Sequence, residues 1–271
     1  MRLSVDGPTV SVLMGDYNTP RPILVQAVRA ILAQTYTDFE LVIIDDGSET
    51  STASRLTDVR DSRIRIMTNR HNLGLGRTLN RGLVDMQTDL VVRADSDDVA
   101  HPQCVAVLVA AAQNHTEYSV ISGRAQEFGC DGRLGAIIGT PGEKGAREVL
   151  GFDGPVHPAS LLRRKDVVEL GGYPDYRRAE DFALWCELLL SGKRLLVLPD
   201  VLVDYRVADT DFAKRSLRQR SGELRARLHY IPLLHGRPRD YMTLAETIMA
   251  GAMPGKLVRW YREHAGWSTR G

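Results

Sequence analysis

Three carboxylates, Asp95, Asp97 and Asp98, crowd into "RADSDDVAHP" (residues 93–102), directly after the apolar run "DLVV". Alternate residues of an extended segment point the same way, so Asp95 and Asp97 can face one ligand while Asp98 turns toward the protein or a second contact. Two carboxylates facing one pocket repel unless a cation lies between them, and hard oxygen ligands suit Mg²⁺ or Mn²⁺. A Mg²⁺ ion held by one or two protein carboxylates completes its shell with water and substrate phosphates, so the pattern describes a seat for a metal and a diphosphate. The plain alternative is a solvated acidic turn capping a helix that starts near Pro102.

Two further polar groups stand beside similar apolar runs. "IIDDGS" carries Asp45 and Asp46, and a carboxylate there can accept the ring N–H of a uracil; the same four polar residues also make an Asx turn through Gly47 and Ser48. Asp16, Tyr17 and Asn18 follow "VSVLMG", and "NRHNLGLGRTLNRG" (69–82) offers Arg77 and Arg81 as partners for phosphate. Its "GLG" is not a dinucleotide fingerprint, because the third glycine would fall at Leu79.

The elements that must position these residues alternate. "TVSVLM" (9–14), "ELVIID" (40–45), "RIRIMT" (63–68) and "DLVVRAD" (89–95) read as strands covered on both faces. "ILVQAVRAILAQ", "TASRLTDV" and "GRTLNRGLVDM" between them repeat apolar residues at three and four positions. A βαβα succession predicts an α/β fold with a mostly parallel, doubly wound sheet, whose ligands gather at the carboxyl ends of the strands. All three polar clusters fall at such ends and so predict one site.

The chain of 271 residues is 43% hydrophobic, enough for one large core. It shows neither an apolar run long enough to span a membrane nor a signal sequence, which predicts a cytoplasmic protein. Cys104, Cys130 and Cys186 fit buried free thiols better than a disulfide or zinc site. The net charge of +1 hides an asymmetry: residues 212–271 carry twelve Lys or Arg against four Asp or Glu, which leaves the preceding 211 residues about seven charges negative.

"VSVLMGDYN", "ILAQTYTDFELVIIDDGS", "NLGLGRTLNRGL" and "RADSDDVAHP" resemble consecutive motifs of the large family of bacterial polysaccharide glycosyltransferases with the A-type fold, family 2. The resemblance runs from Val10 to Pro102 and resumes in the second half. It implies a Rossmann-like nucleotide-diphospho-sugar transferase fold, with a donor half over residues 1–102, an acceptor half over 103–211, and a basic helical extension over 212–271. It implies that Asp46 contacts the nucleotide base, that Asp95 approaches the ribose, and that Asp97, with Asp95, carries Mn²⁺ or Mg²⁺ on the donor diphosphate. Asp16, Tyr17, Asn18, Asp45, Arg77, Arg93 and Ser96 complete the expected donor site.

The second half is expected to bind the acceptor. "GPVHPASLLRRKDVVELGGYPD" (154–175) places His157 and Pro158 before an apolar strand, with His157 either an acceptor-side residue, beside Asp98, or a hydrogen-bonded structural histidine. Residues 177–200 read as a helix with Phe182, Trp185, Leu188 and Leu189 at helical spacing; Glu180 and Asp181 at its start serve as caps or, as the resemblance implies, as a catalytic pair. An attacking sugar hydroxyl must lose its proton, so Asp181 is expected to act as general base, with Glu180 orienting the acceptor. One base without a covalent nucleophile implies inversion. Many relatives carry Tyr-Arg-x-His after the next strand, and some use a histidine in this region as a metal ligand, whereas "DYRVADTD" has Ala208 there; the resemblance then implies either a thin ligand set, with Asp97 completed by phosphate and water, or His157 or Asp209 as a substitute ligand.

The expected partners are a nucleotide-diphosphate sugar, with UDP favoured and dTDP or GDP open, and a saccharide or lipid-linked acceptor chosen by residues 129–175. The tail's basic and aromatic residues suit a peripheral contact with the inner membrane face, a solvated face or a homo-oligomer contact. Nucleic acid is not expected, since no recognised module accompanies the charge. Two rival classes are a catalytically degenerate sugar-nucleotide-binding scaffold subunit and a nucleotidyltransferase. The latter would open with a glycine-rich loop, where this chain has "GDYNTP".

Overall fold

The computed structural model describes residues 10–129, 132–207, 220–242 and 244–245. Ala208, Asp209 and most of the basic tail, including every aromatic residue beyond Tyr241, lie outside the described residues.

The four strands expected from the sequence form as β1 (Val10–Asp16), β2 (Phe39–Asp45), β3 (Ile64–Thr68) and β4 (Leu90–Asp95), all parallel in the order β3-β2-β1-β4. Their side chains alternate between two cores. Val12, Met14, Leu41, Ile43 and Val92 face the layer containing α1 (Arg21–Leu32) and α4 (Cys104–Asn114). Leu13, Val42, Ile44 and Val91 face the layer containing α3 (Leu75–Asp85) and α7 (Glu180–Leu190). β1, β2 and β4 are buried on both faces and so read mainly as Val, Ile and Leu runs, whereas β3, at the sheet's edge, is half-buried and sets Arg65 between Ile64 and Ile66, against the expectation of cover on both faces. Gly82 brings α3 down onto the sheet: a Cβ there would stand 2.6 Å from Leu13 Cδ1 and 2.8 Å from Ile44 Cδ1. The helix after Ser51 is shorter than its pattern suggests, α2 spanning Thr52–Arg55.

The second half extends the same sheet. β9 (Ser160–Arg163) inserts antiparallel between β4 and β6 (Tyr118–Gly129), and β10 (Arg194–Val207) runs parallel to β6. Short β5 (Val99–Ala100) and β8 (Gly142–Lys144) pair with β10, and β7 (Leu134–Ile138) pairs with β6. α5 (Ala146–Leu150) and α6 (Arg164–Glu169) complete this half.

The helix expected over 177–200 ends at Leu190. Gly192, at φ +73°, and Lys193 turn their N–H groups back onto the carbonyls of Leu189 and Leu188, which closes the last turn and releases β10 from Arg194. α8 (Ser221–Leu233), in the expected C-terminal extension, buries Ala226 and Tyr230 in the same core as α7. Cys104 and Cys186 are buried free thiols, and Cys130 lies outside the described residues.

Candidate active site

The parallel register sets the strand ends side by side: Asp16 lies opposite Asp45, and Gly15 opposite Asp95. Three polar clusters separated in sequence therefore share one rim, as the alternation predicted.

Two of the three clusters turn their carboxylates inward. Asp16 is buried and receives Thr52 Oγ1 and Arg55 Nη2. Arg55, itself buried, also donates to the carbonyls of Thr19 and Thr50 and to Ser48 Oγ at 3.0 Å, so one guanidinium ties β1, the loop after it and the "DDGS" turn together. Asp45 accepts the N–H groups of Ser48 and Thr52, each at 2.9 Å, which is the Asx turn allowed by its sequence. Gly47 lies at φ +74°, and a Cβ there would meet the His71 backbone at 2.7 Å. Asp46 accepts Asn69 Nδ2 and Leu73 N at 2.8 Å and Gly74 N at 2.9 Å. It thereby fixes the start of α3 at the site's edge. Asn18 adopts φ +56° and bridges to the same turn through Ser48 Oγ and Glu49 N, while Tyr17 remains 51% exposed on the rim.

The third cluster has a different character. Arg93 is wholly buried beneath it and donates to Asp95 Oδ1 and to main-chain carbonyls of Leu13 and Ala94. Burial works against its charge, but Asp95, Tyr173 and Glu180 outweigh that and push its pKa up. It is a buried counter-cation under the acidic rim. Ser96 is buried and shares a 2.7 Å hydrogen bond with Thr19. Asp97 is exposed. Asp98 turns inward, as alternation predicted, and accepts Arg206 N at 2.8 Å; burial, with Asp95 and Asp97 beside it, holds its pKa well above the carboxylate range. Asp95 and Asp98 border a small cavity closed by Ala27, Ile31, Pro158 and Val203. Among the described residues, the buried side-chain atoms without a hydrogen-bond partner are Arg93 Nε and Asp98 Oδ2, both at this strand end. Buried polar groups in native proteins are nearly always hydrogen-bonded, so two orphans at one strand end set this turn apart from the rest of the described residues.

α7 delivers the opposing acids. Its first residues are Glu180 and Asp181, and Gly76 at the start of α3 leaves room for Glu180, whose Cβ would be 3.1 Å from an added methyl. Burial, reinforced by Asp181, raises the Glu180 carboxyl to about 7. Burial also raises Asp181, against the 2.7 Å hydrogen bond that its Oδ1 accepts from Phe182 N; Asp95 adds to the rise and Arg93 opposes it. The charges of Arg93, Asp95, Glu180 and Asp181 thus act on one another, although the sequence supplies them from two separate segments.

His157 opens the short turn before β9. It is buried, hydrogen-bonded through Nε2 to Tyr173 Oη at 2.9 Å, and held neutral by burial and by Arg93. Arg77 is exposed and pairs with Asp175 at 2.5 Å. Arg81 is exposed and donates to the Thr68 carbonyl and Asn69 Oδ1, bracing the carboxyl end of β3 beside Asp46.

The donor set suits a hard divalent ion that relies on its substrate for ligands. Asp95 and Asp97 are the rim carboxylates that are not buried, and the described residues hold no group of three or more His, Cys, Asp or Glu able to bind a metal by themselves. Sequence reasoning missed Tyr173, Arg55 and Arg206, whose importance depends on partners far along the chain.

The glycosyl transferase family 2 profile matches residues 11–170. The chain is 31% identical over 239 residues to UDP-Gal:alpha-D-GlcNAc-diphosphoundecaprenol beta-1,3-galactosyltransferase of Escherichia coli, covering 84% of this chain and 85% of the relative. Among solved structures it is similar to the mannosyltransferase PcManGT from Pyrobaculum calidifontis in complex with GDP-Man and Mn²⁺, with a TM-score of 0.69 at 17% identity over 98% of this chain and 83% of that one. It is also similar to S. aureus TarS 1-349 in complex with UDP-GlcNAc, with a TM-score of 0.65 at 18% identity over 89% and 72% of the two chains. The fold is the Rossmann-like A-type glycosyltransferase fold, and the chain belongs to glycosyl transferase family 2.

Proposed function

We propose that this glycosyltransferase moves a sugar from a nucleoside-diphosphate donor to a hydroxyl of a saccharide or lipid-linked acceptor, by direct displacement with inversion at the anomeric carbon. The observation that carries this reading is the Arg93–Asp95 ion pair at the end of β4 with Glu180 and Asp181 brought within electrostatic reach of it at the start of α7, where Glu180 packs against Gly76 of α3. UDP is the proposed carrier and a polyprenyl-diphosphate-linked saccharide the proposed acceptor class. Both are supported by the name of the Escherichia coli relative.

The residues take distinct roles. Tyr17 and the edge built by Asp46, Asp45 and Asn18 border the base, with Asp16 and Arg55 holding that edge in place. Asp95 and Ser96 line the ribose and diphosphate, and Arg77 exchanges Asp175 for phosphate. Asp97, with Asp95, holds Mn²⁺ or Mg²⁺, a reading supported by the Mn²⁺ in the mannosyltransferase complex. Such an ion supplies charge neutralisation to the departing diphosphate. Asp181 takes the acceptor proton: Phe182 N fixes one of its oxygens, and its raised pKa brings its basicity closer to that of a useful proton acceptor near neutrality. Glu180 orients the acceptor hydroxyl.

The test is a transfer assay with UDP-hexoses and a polyprenyl-diphosphate-linked N-acetylhexosamine, with the anomeric configuration of the product read by NMR. An α-linked donor should give a β-linked product, and Asp181→Asn should lower kcat by about 10²-fold or more, on the scale of general-base catalysis. A product that retains the donor configuration would overturn the mechanism. Tight nucleotide binding without transfer from any donor would point instead to a sugar-nucleotide-binding scaffold.

A further inference from the structure

The turn that carries Asp97 is held from the other half of the chain. β4 and its pairing with β1 both end at Asp95. Beyond that point β5 pairs antiparallel with β10, matching Val99 to Asp204 and Ala100 to Val203, and His101 N donates to the Leu202 carbonyl at 2.8 Å. Arg206 finishes the attachment. Its backbone N–H donates to Asp98 Oδ1 at 2.8 Å, and its Nε donates to the Asp97 carbonyl at 2.8 Å.

The guanidinium making the second contact is itself fixed. Its Nη2 donates to Gln26 Oε1 on α1 at 2.7 Å, and its Cζ lies 4.5 Å from the centre of the Phe128 ring on β6. Two independent anchors therefore orient a planar fork whose Nε grips the Asp97 peptide. A metal ligand on a loosely held turn must be ordered when the ion binds, and that ordering subtracts from affinity. This matters most where few protein ligands share the ion, as the donor set here implies.

Resting on the proposed transferase reading, we propose that Arg206 is a positioning residue that presets Asp97 for the divalent ion and the donor diphosphate. Groups that hold a metal ligand in place typically change metal affinity by about 10- to 100-fold when removed. Arg206 acts through the Asp97 main chain and needs no contact with the ion. Gln26 supports it at one remove.

The test measures, by calorimetry, binding of UDP, dTDP and GDP across a Mn²⁺ series for the wild type, Asp97→Ala, Arg206→Met, Arg206→Lys and Gln26→Met, with thermal unfolding of each. Arg206→Met keeps an apolar stem over Phe128 and should raise the Mn²⁺ concentration needed for half-maximal nucleotide binding by about tenfold or more. Arg206→Lys retains the charge without the fork and should show most of the same loss, while Gln26→Met should show a smaller loss in the same direction. Nucleotide affinity without metal should stay at the wild-type level. A wild-type Mn²⁺ requirement in both Arg206 variants would overturn the proposal, as would an equal loss with and without Mn²⁺, which would assign Arg206 a general electrostatic role. If Arg206→Met does not fold, Arg206→Lys and Gln26→Met decide the matter. Those outcomes presuppose metal-dependent binding by the wild type that Asp97→Ala removes. Without that binding the transferase reading falls, and this inference with it.

Discussion

Glu180→Gln should make the protein more stable at pH 8 than the wild type while leaving it close to the wild type at low pH. The half-buried carboxyl stands at about 7 in the folded chain, against an ordinary value of 4.5. Between those values the folded chain keeps a proton that the unfolded chain has lost, so stability falls as pH rises from about 4.5 to about 7 and stays reduced above that. At about 1.36 kcal/mol for each tenfold change in protonation equilibrium, the full penalty is about 3 kcal/mol; water reaching the half-buried side chain trims it toward about 2 kcal/mol. The glutamine never ionises and escapes the penalty. For a chain of this size the difference corresponds to roughly 5 °C in unfolding midpoint. Calorimetric or fluorescence melts of both proteins at pH 5 and pH 8 would measure it, the common cost of altered packing cancelling between the two conditions. Equal shifts at both pH values, or a variant that loses more stability at pH 8, would refute the claim that burial and Asp181 strain this carboxylate.

Other substitutions separate the scaffold from the chemistry. Arg55→Ala leaves the buried Asp16 carboxylate without its counter-charge and should cost about 3–5 kcal/mol in urea unfolding, the range for breaking a buried pair. Gly47→Ala places a methyl against the His71 backbone at positive φ and should cost about 2 kcal/mol in unfolding free energy, with loss of nucleotide binding by calorimetry. Asp175→Asn breaks an exposed ion pair with Arg77, so its unfolding free energy should change by less than about 1 kcal/mol. Nucleotide titrations of that variant should show tighter binding at low salt, because Arg77 no longer has to leave a carboxylate for phosphate.

The features legible in the sequence are those governed by local pattern. β1, β2 and β4 declare themselves because burial on both faces favours an apolar residue at nearly every position, β3 through its alternating Ile64 and Ile66, and the shared direction that the alternation implies already puts Asp16, Asp45 and Asp95 on one rim. Side-chain direction is less legible. Asp45 and Asp46 could face a ligand or cap a turn, and only the position of the Leu73 and Gly74 amides shows how firmly Asp46 is engaged within the protein. The stop at Leu190 is written in Gly192, yet the following "KRLLVLPD" carries the same aliphatic content as the helix ahead of it. Arg55 is not legible at all, and Arg206 only as the arginine of the Tyr-Arg-x-His comparison, since an arginine in a sequence does not disclose which distant carbonyls and carboxylates it will join. α8 is obscured by charge: its arginines suggest a solvated extension, but Arg227 is buried, with its guanidinium 3.4 Å from the Phe152 ring centre and 4.6 Å from that of Phe182.

The most direct test of the central claim is whether nucleoside diphosphate binds at the Asp95–Asp98 turn together with a divalent ion. Titration of UDP into the wild type and Asp97→Ala, with and without Mn²⁺, should show binding strengthened by the metal in the wild type and loss of that enhancement in the variant. Identical metal enhancement in Asp97→Ala, or no binding of UDP, dTDP or GDP by the wild type at any Mn²⁺ concentration, would contradict the assignment of this acidic turn as the diphosphate seat.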